Sequence, residues 1–458
     1  MKVYWYKKVL LFLLTFVFIF GITACYDDKK IILSNDVKKD VTAQEKNTVK
    51  LEKIKELPMD NSEYDPLYWK DDENFIAINA IGNSSNNYNI YNVNINTSQT
   101  TKIATLNDAY ITGKAYPGYA DIRDTDKRLL FIRDFKLWIY DISNGTSKII
   151  YDLSEVKGEI EEKYSHYSVE RNYDKSGKPT SISTYPKKEG DKTLFKVEYS
   201  SDFHMGLAAD FVGGSSKYVY LNSLSGLKIL DLDTGKVVKL SAESSDNEAI
   251  NKADSFGGNF QVVLYNKIKD TFYTSIYRAR STSVTEDKTD VYEFLLKEPN
   301  VFKKVIILQG YGFERAVISS DGKNIYFNNS RSTGAGETVK SIIKYDTIKN
   351  TYSKLFEDRQ DGGGSPIRYN YKLGLIYYEY PNESTKTGNQ RMYFLGTIKD
   401  GKLKVIENLV PEEITDMTPG FTNIIYNEKG DKFIFRVHFF GKDNSIKGKT
   451  YIYAVKNS

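Results

Sequence analysis

The feature that most limits how this chain can fold is a unit that recurs along it. In each copy a short strand leads through a turn to a strand rich in Ile, Tyr and Phe. A polar loop follows, then a second apolar strand, a tight turn and a closing strand. The clearest copy runs from Ala316 through Ser320-Asp321-Gly322-Lys323 to Ile325-Tyr326-Phe327. After a polar loop it continues with Ile342-Ile343-Lys344-Tyr345-Asp346, a turn at Ile348-Lys349-Asn350, and Thr351 to Phe356. Asp124-Thr125-Asp126-Lys127 precedes Leu129-Leu130-Phe131-Ile132 in the same way, as Glu428-Lys429-Gly430-Asp431-Lys432 precedes Phe433-Ile434-Phe435. Such Asp/Gly/Lys clusters between alternating strands are hairpin signals.

Aligning the third strand of every unit gives Tyr91, Tyr140, Leu230, Tyr292, Tyr345, Tyr393 and Tyr453, separated by 49, 90, 62, 53, 48 and 60 residues. Apart from the 90-residue step, these fit blades of roughly 40–50 residues lengthened by loops. A four-stranded blade cannot bury both faces alone, so blades stack radially until a ring closes. The expected fold is therefore all-β, a seven-bladed β-propeller over residues 48–458.

The long step contains residues 154–203, with a hairpin expected from Tyr164 to Tyr173 and Thr180 to Tyr185, and a further strand from Leu194 to Tyr199. It reads as an insertion between blades two and three, removable with a short bridge; an eighth, incomplete blade is the alternative. The last unit supplies three strands. An open ring would leave an unpaired edge, so Val49 to Leu57 is expected to fold back as the missing fourth strand. Leu51, Ile54 and Leu57 also fit one helical face.

The Ser-Asp-Gly-Lys-Asn-Ile-Tyr-Phe stretch at 320–327 resembles the repeat of TolB-like propellers, where Pro-Asp-Gly-Lys precedes an apolar strand. Ser320 stands where the proline is usual, and other copies lose the Gly or the Asp. The resemblance implies the fold and no particular partner.

The N-terminus has the layout of an export signal: Lys2, Lys7 and Lys8, an apolar run from Val9 to Phe20, then Gly21-Ile22-Thr23-Ala24-Cys25. Twelve residues are too few to cross a bilayer, which needs about 20. Ile22-Thr23-Ala24-Cys25 resembles a bacterial lipobox. The resemblance implies a signal peptide over residues 1–24, cleavage before Cys25, and lipidation of the Cys25 sulfur. Residues 25–47, polar and mixed in charge, then read as a lipidated flexible tether. The expected location is the extracytoplasmic face of the cell membrane.

Cys25 is the only cysteine, so once acylated it leaves no disulfide, thiol or thiolate ligand. The chain holds 64 basic and 60 acidic residues, and residues 1–24 contribute three lysines and no acid. The mature part is thus 61 against 60, which argues against a nucleic-acid footprint.

Three histidines are present: His166, His204 and His438. His438 sits in an apolar strand and reads as structural. His166, His204 and Asp202 lack a fixed ligand spacing, so neither a metal nor a cofactor is expected. Asp231-Leu232-Asp233 resembles the start of a calcium loop but is followed by Thr234-Gly235-Lys236, a hairpin turn. Gly448-Lys449-Thr450 lacks the upstream glycine of a phosphate loop and precedes a strand. Gly362-Gly363-Gly364-Ser365 reads as a turn between blades.

The leading expectation is a lipid-anchored binding protein for a protein, peptide or glycan. The alternative is a propeller enzyme acting on cell-wall polysaccharide or peptide through a carboxylate pair. The longer polar loops fall between second and third strands, so the face carrying them is the expected binding face.

Overall fold

The computed structural model describes residues 32–33, 38–39, 49–57, 64–80, 87–112, 127–173, 179–188, 190–240, 260–278, 287–332, 337–361, 368–381, 391–399, 402–409, 417–442 and 445–457. Seven antiparallel sheets form the blades. Blade one comprises Asp65–Trp69, Asn74–Ala80, Tyr88–Asn94 and Thr100–Leu106, and blade two Tyr110–Ile111, Arg128–Arg133, Lys136–Asp141 and Thr146–Asp152. Blade three is the shortest: Leu207–Phe211, Tyr218–Ser223, Gly226–Asp231 and Val237–Lys239. Blade four comprises Phe260–Asn266, Thr271–Arg278, Lys288–Leu295 and Glu298–Gln309. Blade five comprises Tyr311–Ile318, Asn324–Ser332, Glu337–Asp346 and Thr351–Asp361. Blade six uses Arg368–Asn370, Leu375–Pro381, Arg391–Lys399 and Lys402–Asn408. Blade seven takes Met417–Tyr426, Lys432–Gly441 and Ile446–Asn457 from the C-terminus and Val49–Leu57 from the N-terminus.

Val49–Leu57 lies antiparallel to Ile446–Asn457, with Val49 opposite Asn457 and Leu57 opposite Thr450. The ring is closed by strands from both ends of the chain. All seven aligned positions, from Tyr91 to Tyr453, fall in third strands. Most are buried, because a third strand has neighbours on both edges and blades on both faces.

The core is divided among the blade interfaces. Seven apolar clusters each join two neighbouring blades. Ile425, Ile434 and Ile452 of blade seven pack on Trp69, Phe75 and Val93 of blade one, closing the circle. The remaining six join one and two, two and three, and so on to six and seven. A sandwich would concentrate its core between two sheets. Seven interfaces in a cycle identify a seven-bladed propeller, and the eight-bladed alternative is set aside: the extra hairpin forms its own two-stranded sheet.

Residues 154–205 bring the main surprise. The segment starts with a helix, α1 (Ser154–Lys163), followed by a 3-10 turn, Tyr164–His166. Val156, Ile160 and Tyr164, four apart, bury one face of it. Glu155 in the first turn and Lys163 in the last complement the helix dipole. The hairpin spans Tyr167–Tyr173 and Pro179–Pro186. The strand expected from Leu194 to Tyr199 does not form. Phe195 and Val197, alternate residues, are both buried in one apolar cluster, but the backbone bonds to side chains instead of a ladder. The Arg171 guanidinium donates to the Lys196 carbonyl at 2.5 Å, and Val197 N–H donates to Glu161 Oε1 at 2.9 Å.

This segment packs into the ring. Leu153, Val156, Ile160, Phe195, Val197, Phe203 and Met205 belong to the same apolar cluster as Leu130 and Ile139 of blade two and Val219 and Leu221 of blade three. The segment therefore supplies much of that interface, so its deletion is expected to bare apolar surface rather than to be tolerated.

Between Cys25 and Val49 the described residues are two pairs, both in strands. Ile32–Leu33 pairs antiparallel with Ile307 and Ile306, and Lys38–Lys39 runs parallel to Thr351–Tyr352. Each adds a fifth strand to the outer edge of blade four or five.

Candidate functional site

Successive blade strands run in opposite directions, so the turns sort onto two faces. One face carries the first-to-second and third-to-fourth connections. Here the sequence closes strands with Asn or Asp side chains that cap the next backbone N–H groups. Asn94 Oδ1 accepts from Asn96 and Thr97 N–H, Asp231 Oδ1 from Asp233 and Thr234, and Asp346 Oδ1 from Ile348 and Lys349, at 2.9–3.2 Å. Partial burial works against ionisation of Asp141 and Asp231. Hydrogen bonds from neighbouring N–H groups, and Lys217 beside Asp231, outweigh it and hold both carboxyls below the usual range. Asp231-Leu232-Asp233 is thus a turn. Blade two is the exception on this face, since residues 112–127 separate its first two strands.

The same face holds a cavity of about 290 Å³ between blades three and four. Its floor is Phe272, Tyr218 and Ile229, and its rim carries Asp231, Lys236, Asp270 and Lys297. Burial, reinforced by a 2.8 Å bond to Asp270, pushes the nearby Tyr265 hydroxyl up to about 12. Neither Phe272 nor Tyr218 presents an open ring, so the cavity offers no stacking platform.

The opposite face gathers second-to-third connections and blade-to-blade links. In blades one, four, five, six and seven the strands are separated there by residues 81–87, 279–287, 333–336, 382–390 and 442–445. Much of these connections lies outside the described residues. In blades two and three the corresponding turns are two residues each, Asp134-Phe135 and Leu224-Ser225. Those are the two blades that the 154–205 segment covers. Phe203 packs on Phe135 with ring centroids 6.1 Å apart, and Lys157 Nζ lies 4.8 Å from the Phe135 ring centre. Glu159 Oε2 accepts Ser225 N–H at 3.2 Å. Lys228, almost fully buried in blade three, donates to Glu155 Oε2 of α1 at 2.8 Å. Residues 154–205 thus cover the two-residue turns of blades two and three.

Buried polar residues occur at both ends of the blades. Asn79 of blade one and Asn222 and Ser223 of blade three lie toward this face, Thr274 and Ser275 of blade four and Asn328 and Asn329 of blade five lie in mid-strand, and Asn266, Thr271, Ser319 and Thr347 lie toward the tight turns. Among the described residues Asn79 Oδ1, Ser275 Oγ, Asp290 Oδ1 and Asn329 Oδ1 have no hydrogen-bond partner, and neither do Thr112 Oγ1 and Asn324 Oδ1 at tight-turn ends. Buried polarity therefore does not set one face apart from the other.

Among the described residues two carboxylates are fully buried, and each faces a guanidinium. Asp290 Oδ2 lies 3.2 Å from Arg278 and 3.4 Å from Lys304. Asp202 Oδ2 accepts from Arg171 at 2.9 Å and from Glu198 and Tyr199 N–H at 2.9 and 3.2 Å. They lie in different blade interfaces, and neither meets a second carboxylate in those contacts, so no acid pair of the glycosidase kind is assembled by them.

The histidines are dispersed. His204 Nδ1 lies 2.5 Å from the Ser201 carbonyl, and His438 Nε2 lies 2.9 Å from Asp65 Oδ1 across the blade-seven to blade-one seam. His166 ends the 3-10 turn and is exposed. Among the described residues no three His, Cys, Asp or Glu side chains gather as metal ligands. Gly448 lies in a third strand under the buried Arg436 guanidinium, where a Cβ would meet Arg436 at 2.1 Å. A side chain there would displace the Arg436 guanidinium, so this glycine serves packing and not phosphate binding. Gly362-Gly363-Gly364-Ser365 and Cys25 lie outside the described residues. No helix among the described residues is long and apolar enough to cross a membrane.

The strand order and the seven cyclic interfaces define the class, a seven-bladed β-propeller. Neither a protein-family model nor a curated protein sequence matches the chain. Among solved structures it is similar to an oligogalacturonate lyase from Vibrio parahaemolyticus, with 10% identity, 93% of this chain and 98% of that one covered, and a TM-score of 0.43. The β-propeller domain of the Trilobed protease from Pyrococcus furiosus shares 11% identity over 85% of this chain and 96% of that one, at a TM-score of 0.40. Dipeptidyl peptidase 4 from Porphyromonas gingivalis shares 6% over 84% and 52%, at 0.39. Likeness this distant says nothing of substrate or partner.

Proposed function

We propose that the chain is an exported lipoprotein, anchored through a lipid on Cys25, whose propeller binds a protein, peptide or glycan outside the cytoplasm. Binding uses the face that bears the 154–205 segment and the longer connections. The observation that carries this reading is the coincidence on one face of that segment and the longer second-to-third connections. A rigid scaffold with its variable, polar elements collected on one side is the usual arrangement of a binding protein. The lipid supports the location, and the near-neutral mature charge favours a partner recognised by shape and hydrogen bonds over a polyanion.

The test uses purified residues 26–458 with two probes, isolated peptidoglycan sacculi and a displayed random peptide library. Two-residue turns grafted in place of 279–287 and 382–390 should weaken whichever probe binds. Reversing charges at Asp233 and Lys349, on the tight-turn face, should leave binding unchanged. The opposite pattern refutes the assignment of the face.

A further inference from the structure

The fourth strands of the blades share a protective feature that the second strand of one hairpin lacks. A strand at a sheet edge offers unpaired N–H and C=O groups to any extended chain, and proteins blunt such edges with charge, lysine above all. Here the fourth strand of each of the seven blades carries at least one lysine: Lys53, Lys102, Lys148, Lys239, Lys303, Lys354 and Lys404, and in blades four and five Ile32–Leu33 or Lys38–Lys39 covers that strand as well. The hairpin of the 154–205 segment is a two-stranded sheet, so both of its strands are edges. Its first strand, Tyr167–Tyr173, contains Glu170 and Arg171. Its second, Pro179–Pro186, reads Pro-Thr-Ser-Ile-Ser-Thr-Tyr-Pro and contains no charge.

The second strand is also the open one. The chain that follows the hairpin returns to the first strand: Ser168 Oγ donates to Asp191 at 2.5 Å, and Arg171 reaches both the Lys196 carbonyl and Asp202. No third strand pairs with the hairpin among the described residues. Thr184, Tyr185 and Pro186 are exposed, with Tyr185 at 51%. The strand is held in place from its other face. Ile182 and Val169 pack against the apolar cluster of blades two and three, and the Arg171 guanidinium lies 5.1 Å from the Phe195 ring centre. An edge that is rigidly mounted, uncharged and rich in Thr, Ser, Ile and Tyr is suited to accept another strand.

We infer that Pro179–Pro186 is a strand-addition site for an extended, uncharged segment of a partner polypeptide. This deepens the proposed function and rests on its assignment of the binding face. Backbone hydrogen bonds give the affinity, and alternate side chains of the partner lie beside Tyr185 or toward Ile182. Pro179 and Pro186 cannot donate, so they bound the paired length to the residues between them. A second copy of this chain is the weaker occupant. Eight residues at about 3.3 Å and a width of about 10 Å present roughly 260 Å², against about 800 Å² per partner in a stable interface.

The experiment pans a displayed random dodecapeptide library on immobilised residues 26–458 and re-measures enriched synthetic peptides by calorimetry. Hydrogen exchange then locates them. The expected result is protection of amides within residues 180–185 and a period-two response to N-methylation of the peptide, one alternate set of amides essential and the other dispensable. Thr184→Lys should weaken binding by roughly tenfold or more, the loss of one or two hydrogen bonds. Thr184→Val should bind as the parent does, and unchanged melting of both variants excludes misfolding as the cause. Protection confined to 279–287 or 382–390 overturns strand addition while leaving the binding face intact. Protection on the tight-turn face overturns both. Absence of any enriched peptide, equal binding by Thr184→Lys, or a concentration-dependent dimer that protects 180–185 without peptide also overturns it.

Discussion

The indole Nε1 of Trp69, in the innermost strand of blade one, donates at 2.9 Å to the carbonyl of Ile425, in the innermost strand of blade seven, 356 residues later. This bond crosses the place where the ring meets itself. His438 and Asp65 span the same seam, Lys432 Nζ donates to the Asp72 carbonyl at 2.9 Å, and Lys429 pairs with Asp72. The outer rim is held by Lys449 and Glu56 at 3.1 Å. A cyclic fold is only as cooperative as its closure, because each blade buries its faces only on neighbours.

Trp69→Phe keeps the apolar contact with Phe75 but leaves the Ile425 carbonyl without its donor. The expected cost is about 1–2 kcal/mol, read as a lower urea midpoint with an unchanged slope. A chain beginning at residue 58 goes further, since it removes Leu57, fully buried in the seam cluster, and bares the edge of Ile446–Asn457. It should aggregate or melt without a cooperative transition. A truncate that melts as sharply as the parent would contradict closure by Val49–Leu57.

The helix α1 offers changes of opposite sign. Ile160→Ala removes a fully buried side chain from the blade-two to blade-three interface and should destabilise by about 2–4 kcal/mol. Gly158 is exposed in the same helix, and a Cβ there would meet nothing within 4 Å. Gly158→Ala should therefore stabilise by about 0.5–1 kcal/mol. Excising 154–203 with a Gly/Ser bridge should bare apolar surface, seen as dye binding and loss of a sharp melt. That outcome reflects lost interface, not an eighth blade.

Much of the architecture was legible because it depends on period. Third-strand residues such as Tyr292 and Tyr345 must be apolar in every blade, so their spacing survives in the sequence. Val49–Leu57 was legible because ring closure demands a strand, even though its apolar spacing also fits a helix. α1 was missed although Val156, Ile160 and Tyr164 are spaced for it. Three positions in ten residues are a weak signal beside the Tyr-rich strand that follows. The strand expected at Leu194 to Tyr199 shows the converse limit: alternation correctly placed Phe195 and Val197 inside. It could not reveal that Arg171 and Glu161 would claim the backbone. The uncharged edge of Pro179–Pro186 has meaning only once the other edges are known.

Acid should loosen the hairpin first. A hydrogen bond from Ser168, with others from Thr193, lowers the Asp191 carboxyl to about 2 from 3.8. A group depressed on folding stabilises above its unfolded pKa, so the contribution is complete above about pH 4 and fades as pH falls toward 2. Melts of the parent and Asp191→Asn should differ at pH 6 and converge near pH 2. A difference that persists unchanged to pH 2 would show that Asp191 acts otherwise.

Lipidation at Cys25 is tested by removing its thiol. Two or more acyl chains, at about 0.8 kcal/mol per buried CH₂, give stable anchoring where one chain does not. Cys25→Ala should therefore leave the protein soluble or unprocessed; a mature-length mutant that stays with membranes would refute the lipobox reading.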